Sequence, residues 1–340
     1  MTRIAVIRAD ASRKIGGGHI YRCLTLADAM ADAGWRCVFA CKPGTREAVP
    51  VLGRSRHEII ELGMLEEAIQ LMQLYPGGVD LLVVDHYGLD TGFEMACRPW
   101  AHRIMVLDDR PGRSHDCDIL LDQNLGATPS GYHGHVPSRC RLLLGPDFAL
   151  LRPQFSKARD GALARRFAKR PAERLLISLG SADPGKLTSR VVAATAGLQL
   201  QIDVVFGSAN EQEPVIHEIV SRLDLTVRVH SDVTDMAALM SVADFAVGAG
   251  GSTSWERCCL GLPTLMVVLA ENQRNIAVSL DRAGAALNLG NSESLTDQKL
   301  TAALQILYHD ERGRSAMAER AAAICKGDGT RRVMEVLEND

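Results

Sequence analysis

Short apolar runs alternate along this chain with stretches whose apolar residues recur every three or four positions, the pattern of buried strands and one-faced helices. Ile4 to Ile7 reads as the first strand. It leads through the turn Gly16-Gly17-Gly18 into a helix with Ile20, Cys23, Leu24, Ala27, Met30 and Ala33 on one face, closed by Gly34. Arg36 to Cys41 is a second strand and Met64 to Leu74 a weaker helix. Val79 to Asp85 is apolar on both faces, as a strand inside a parallel sheet is. Strands from Arg103 to Leu107 and from Asp118 to Leu121 follow, then a loop-rich stretch over 125–155. Lys157 to Arg174 carries Arg165, Arg166, Lys169 and Arg170 among alanines and reads as a solvated basic helix or linker.

The alternation then restarts. Leu175 to Leu179 is a strand with its turn at Gly180 to Gly185, followed by a helix from Leu187 to Ala196. Strands from Ile202 to Phe206 and from Thr226 to His230 precede a helix from Asp235 to Val242. Asp244 to Val247 leads into the turn Gly248 to Ser254, a helix from Trp255 to Leu260 and a strand from Pro263 to Val268. The end of the chain is helical from Asp310 to Cys325 and from Arg331 to Leu337. A 340-residue chain is long for one core. Two α/β domains are expected, at 1–155 and 173–340 with a linker at 156–172, the last helix free to pack back on the first domain.

Composition narrows the class. A hydrophobic content of 46%, a charged content of 23% and a net charge of −3 describe an ordinary globular protein without the basic field that nucleic acid attracts. No stretch reaches the ~18 apolar residues of a membrane span. Met1-Thr2-Arg3-Ile4 runs straight into a strand without the apolar core of a signal peptide. The nine cysteines form no C-x-x-C pair, so buried thiols in a reducing cytoplasm are expected.

Candidate chemistry gathers at the turns. Gly16-Gly17-Gly18 lets the backbone approach a ligand, and the helix behind it offers free N–H groups. His19 sits at the start of that helix, where an imidazole switches protonation near neutral pH. Three strands end in polar groups: Asp85-His86-Tyr87-Gly88, Asp108-Asp109, and Asp122-Gln123-Asn124. Open α/β sheets bind ligands at such ends, so these endings suggest one shared polar rim. The second turn, Gly248-Ala249-Gly250-Gly251-Ser252-Thr253-Ser254, places glycines and three hydroxyls before a helix, as phosphate binding requires. Glu256 can accept from a ribose diol. Tyr132-His133-Gly134-His135 lacks a third ligand at a telling distance, so no metal is expected there.

Gly250 to Glu256, followed by Gly261-Leu262-Pro263 and Asn272-Gln273, resembles the nucleotide-sugar half of GT-B proteins of the MurG type. Gly16 to His19 resembles their acceptor-side loop. The closer likeness is to the UDP-sugar hydrolases of pseudaminic acid biosynthesis. It rests on Arg8-Ala9-Asp10, Ile15 to Arg22, Asp85 to Gly88, Asp108-Asp109, Cys117 to Asp122 with Asn124, and Ala149-Leu150-Leu151-Arg152, and spans about 3–285. The resemblance implies a GT-B α/β fold, two Rossmann-like domains with parallel sheets facing a central cleft. It implies metal-independent hydrolysis of UDP-2,4-diacetamido-2,4,6-trideoxy-β-L-altrose, C–O cleavage with inversion, for nonulosonate synthesis and flagellin glycosylation. It makes His19 the base. Gly18, Asp85, His86, Tyr87, Asn124 and Arg152 would face the sugar, and Gly180, Gly251, Ser252, Thr253, Ser254, Glu256, Asn272 and Gln273 the UDP. No cofactor or metal is expected, and the partners are the UDP-sugar alone, with no nucleic acid or membrane, for a monomer or weak dimer. Ser181 stands where the resemblance expects glycine. Asp10 and Asp85 both remain candidates to orient His19. A UDP-sugar glycosyltransferase, a UDP-N-acetylhexosamine epimerase-hydrolase and a non-catalytic UDP-sugar-binding protein are the competing readings.

Overall fold

The computed structural model describes residues 2–12, 15–63, 65–168, 170–180, 186–207, 213–231 and 233–339. The expected turn residues Ser181 to Gly185 lie outside that set. The chain forms two compact units, 1–150 with 328–340, and 151–327.

The first unit is built on seven strands: β1 (Ile4–Ala9), β2 (Arg36–Cys41), β3 (Glu58–Glu61), β4 (Val79–Asp85), β5 (Ala101–Leu107), β6 (Ile119–Asp122) and β7 (Arg141–Leu144). Their order is β3-β2-β1-β4-β5-β6-β7, with every pair parallel. Side chains alternate across a strand. Ala5, Ile7 and Ala9 of β1 join Leu81 and Val83 of β4 in one core, whereas Val6 joins Leu82 and Val84 in another. Both faces are therefore covered, which is why these strands read as continuous apolar runs. The first core is completed by Val333, Met334, Val336 and Leu337 of the helix Gly329–Asn339. Arg103 donates from Nη2 to Leu337 O at 2.8 Å, capping that helix where its carbonyls run out of partners.

The second unit repeats the plan with β8 (Arg174–Ser178), β9 (Gln201–Phe206), β10 (Thr226–Ser231), β11 (Phe245–Ala249), β12 (Thr264–Val268) and β13 (Leu287–Asn291). The order is β10-β9-β8-β11-β12-β13, again parallel throughout. In each sheet the connections reverse direction at one place, between β1 and β4 and between β8 and β11. Open α/β sheets bind ligands beyond the carboxyl ends of the strands at such a reversal.

Several elements escaped the sequence pattern. The stretch 125–155 contains β7, and the helix Thr91–Cys97 and the strand β13 carried no clear period. The basic stretch expected as a solvated helix or linker includes most of the helix Pro153–Phe167, and Arg165 and Arg166 turn inward from it. Arg166 donates to Met240 O at 2.5 Å and Arg165 to Asp244 at 2.8 Å. Guanidinium groups there satisfy the last carbonyls of the helix Met236–Val242 and the carboxylate beyond it.

Candidate functional site

The reversal between β1 and β4 gathers the predicted N-terminal residues. Ala9 of β1 stands opposite Asp85 of β4 in register, so Asp10 and the residues after Asp85 emerge side by side. Gly16 takes φ +81 and returns the chain to Ser12 with an N–H···O bond of 2.8 Å. Gly17 must be small, because a Cβ would lie 3.1 Å from Tyr21 and 3.1 Å from Val49. The turn delivers Gly18 and His19 as the first two residues of the helix Gly18–Asp32.

His19 is buried, and its Nδ1 lies 2.5 Å from Asp85 Oδ1. Asp85, fully buried, also accepts from Arg22 Nε at 2.6 Å, Arg22 Nη2 at 2.5 Å and Cys23 Sγ at 3.4 Å. Burial pushes the Asp85 carboxyl up, but Arg22 and His19 outweigh it and hold the group well below the usual carboxylate range. An ionised Asp85 requires the proton on Nδ1, which leaves the Nε2 lone pair free; this tautomer is assigned from the network. No protein partner meets Nε2 among the described residues. Asp10 is occupied elsewhere: it pairs with Arg8 at 2.7 Å, accepts from Lys42 N at 2.7 Å and faces His86 Nε2 at 3.4 Å. Asp85, not Asp10, is therefore the acid that orients His19.

Tyr87 meets the His19 ring edge-on, with centroids 4.8 Å apart, and its hydroxyl donates to Asp109 at 2.9 Å. Arg110 lies 3.6 Å above the Tyr87 ring. Asn124 is tied to the same rim, its amide 3.4 Å from Asp109 O. Beneath the rim lies a network that sequence reasoning missed. The ring of His115 bridges Glu94 at 2.7 Å and Asp108 at 2.7 Å, and Arg113 joins Asp108 at 2.6 Å while donating to Leu89 O at 2.6 Å. Burial works against the imidazolium, yet the two carboxylates raise its pKa to about 9. Next to it, burial raises the Asp122 carboxyl to about 6, with Tyr132 donating at 2.7 Å.

The reversal between β8 and β11 carries the second turn. Gly180, at φ +83, follows β8; Gly248 and Ala249 end β11, and Gly250 to Ser252 link it to the helix Thr253–Cys259. That helix begins two residues earlier than its apolar period suggested. Arg257 lies beneath the turn, donating to Ala249 O at 2.6 Å, Ser254 Oγ at 3.1 Å and Thr253 Oγ1 at 3.1 Å. Gly248 must be glycine, since a Cβ would stand 2.5 Å from Arg257. Ser254 is wholly buried against this guanidinium, so of the three expected hydroxyls only those of Ser252 and Thr253 stand partly exposed. Gln273 lies across the turn: a Cβ on Gly250 would come within 3.0 Å of Gln273 O, and the side-chain amide lies 3.9 Å from that position on Gly251. Its Oε1 accepts from Leu269 N at 3.0 Å, which orients the NH₂ group. Asn272 is exposed on the same short turn, Glu271–Gln273.

Glu256 is the odd group here. Its Oε1 meets Arg152 at 3.4 Å, while Oε2 is buried with no partner among the described residues, and burial raises its pKa. Arg152, expected among the sugar-facing residues of the first domain, belongs to the second unit. It donates to Thr234 O at 3.0 Å and sits over Phe155. Among the described residues no cluster of three or more His, Cys, Asp or Glu has the arrangement of a metal site.

Residues 174–333 match the glycosyltransferase family 28 C-terminal domain. The chain is 24% identical to the spore coat polysaccharide biosynthesis protein SpsG of Bacillus subtilis, over 98% of this chain and 97% of that protein. It is 26% identical to the UDP-2,4-diacetamido-2,4,6-trideoxy-beta-L-altropyranose hydrolase of Campylobacter jejuni, over 82% of this chain and 96% of the relative. Its fold is similar to the crystal structure of MurG from Acinetobacter baumannii, with a TM-score of 0.73 and 16% identity over 100% of both chains. Two Rossmann-like parallel sheets of seven and six strands are the GT-B architecture. No helix among the described residues is long and apolar enough to cross a membrane.

Proposed function

We propose that this chain is a nucleotide-sugar hydrolase that releases UDP from a UDP-linked 2,4-diacetamido-2,4,6-trideoxy sugar, as the named Campylobacter relative does with the β-L-altropyranose. The observation that carries the reading is His19, held by Asp85 through Nδ1 with Nε2 free. Neutral imidazole in that tautomer takes a proton from water as the oxygen attacks the anomeric carbon. The carboxylate stabilises the imidazolium that forms, without itself accepting the proton. Direct displacement by one water inverts the anomeric centre and breaks the C–O bond.

The leaving UDP has its own supports. Gly251 offers partly exposed backbone to its phosphates, Ser252 and Thr253 supply hydroxyls at a helix start, and Gln273 directs an amide there. Fixed donors aimed at developing charge are usually the largest catalytic contribution, about 3 kcal/mol each. The orphan Oε2 of Glu256 needs a donor, and a ribose hydroxyl supplies one. Tyr87, His86, Asn124 and Gly18 then contact the sugar. The scheme needs no metal and assigns the protein to the cytoplasm and to nonulosonate synthesis.

The match of 174–333 to a glycosyltransferase domain favours one second reading, in which His19 deprotonates an acceptor hydroxyl instead of water. A single experiment separates them: ³¹P and ¹H NMR of the protein with the UDP-sugar in ¹⁸O-water and EDTA. Free UDP with label on the sugar C1 oxygen is the expected outcome. Label on phosphate means P–O cleavage and removes His19 from the chemistry. No turnover with UDP bound points to transfer.

A further inference from the structure

We propose that Arg22 is a positioning residue that keeps His19 neutral, by pairing with Asp85 so that the imidazole faces a neutralised carboxylate. The inference rests on His19 acting as the base in the reading above.

A lone buried carboxylate against an imidazole favours the imidazolium, because opposite charges attract strongly away from water. A base held that way is already protonated when substrate arrives. Here Arg22 occupies both oxygens of Asp85 with its planar fork, at 2.6 and 2.5 Å. Its Nη2 also stands 3.2 Å from His19 Nδ1. Guanidinium has no acceptor, so it cannot take the Nδ1 proton, and its charge opposes a second positive charge on the ring. Among the described residues Asp85 is the only acceptor at Nδ1–H, which leaves the lone pair on Nε2.

Among the described residues, the charged and titratable groups placed around the ring fit this arrangement, with Arg110 stacked on the far partner Tyr87 adding positive charge on that side. Arg22 and Cys23 come from the helix that carries His19, Asp85 from β4, and Tyr87 from the loop after it. Asp109, beyond β5, reaches the far side of Arg22 at 3.9 Å and accepts from Tyr87. That contact aims the guanidinium and ties its place to the Tyr87 ring.

The test uses the whole protein. Long-range ¹H–¹⁵N NMR reads the His19 tautomer and its titration midpoint without substrate, and kcat/KM against pH reads the base at work. Wild type should show the Nδ1–H tautomer. In Arg22→Gln the midpoint and the acid limb of the profile move to higher pH by about one pH unit or more. Its kcat falls at pH 7 and recovers at higher pH, with KM little changed. Arg22→Lys restores the charge and most of the wild-type profile. A wild-type Nε2–H tautomer, or an unmoved midpoint in folded Arg22→Gln, overturns the inference. If Arg22→Gln does not fold, the wild-type tautomer and the Lys profile still decide it. A moved midpoint without turnover of the UDP-sugar sinks the hydrolase reading and leaves the inference standing.

Discussion

At the scale of single residues, His19 and Glu256 make opposite demands. His19 has a fixed partner on one nitrogen and an open one on the other, so its replacement should cost turnover and spare binding. His19→Asn is expected to lower kcat by about 10²-fold or more with UDP affinity unchanged, read by NMR turnover and calorimetry. Retention of more than about a tenth of the activity removes it as the base. Glu256 has a partner on one oxygen and none on the other. Glu256→Gln should weaken UDP about tenfold, the order of one lost charged hydrogen bond; an unchanged Kd means that no hydroxyl reaches Oε2. The place of His19 was legible in the sequence, since three glycines after a strand and before an apolar period mark a helix start. Its partner was not, because Asp85 lies 66 residues away and Asp10 offers the same chemistry nearer by. Only strand order, which puts β1 beside β4, decides between them.

Elements set what the turns can hold. Gly250 faces Gln273 so closely that Gly250→Ala must push the turn Glu271–Gln273 away from the glycines. UDP affinity should fall while the thermal midpoint changes little; unaltered affinity would show that the two turns do not act together. The bridge from Glu94 of the helix Thr91–Cys97 through His115 to Asp108 holds the loop after β4 against the sheet. With a folded-state pKa of about 9 against about 6.5 unfolded, His115 contributes stability in full below the unfolded value. That contribution, on the order of 1–3 kcal/mol, is lost as pH rises through about 9. The difference in Tm between wild type and His115→Gln should therefore be largest near pH 6 and close above pH 9. A gap constant with pH would mean that the bridge is not ionic. Of this network only Asp108 was legible, as a polar strand ending; Glu94 and His115 share no local spacing with it. The central strands were legible because burial on both faces leaves unbroken apolar runs; β7 and β13, only partly buried, leave none. Ser254 misled for a related reason: a run of hydroxyls looks uniform until Arg257 reaches Thr253 and Ser254 from below and Ser254 is wholly buried.

For the whole molecule, the return of the C-terminus to the first unit matters most. Val333, Met334, Val336 and Leu337 are buried in its core, each worth about 1.5–3 kcal/mol. Their sum is comparable to the entire stability of a domain. Deleting 328–340 should abolish cooperative unfolding of the first unit, seen as rapid proteolysis within 1–150, while the second retains its melting transition. A protease-resistant first unit would show that the helix is dispensable. Gly329→Ala should act the same way, more mildly, because a Cβ there would meet Ala149 O at 2.4 Å. The same arrangement dictates an order of events at the ribosome. Residues 1–150 emerge first yet lack their closing helix, and all of 151–327 is made before that helix exists. At about 5–20 residues per second the gap lasts roughly ten to forty seconds. For that interval the nascent first unit exposes the apolar groove meant for its own last helix, and its neighbour, completed later in sequence, is the first to finish folding.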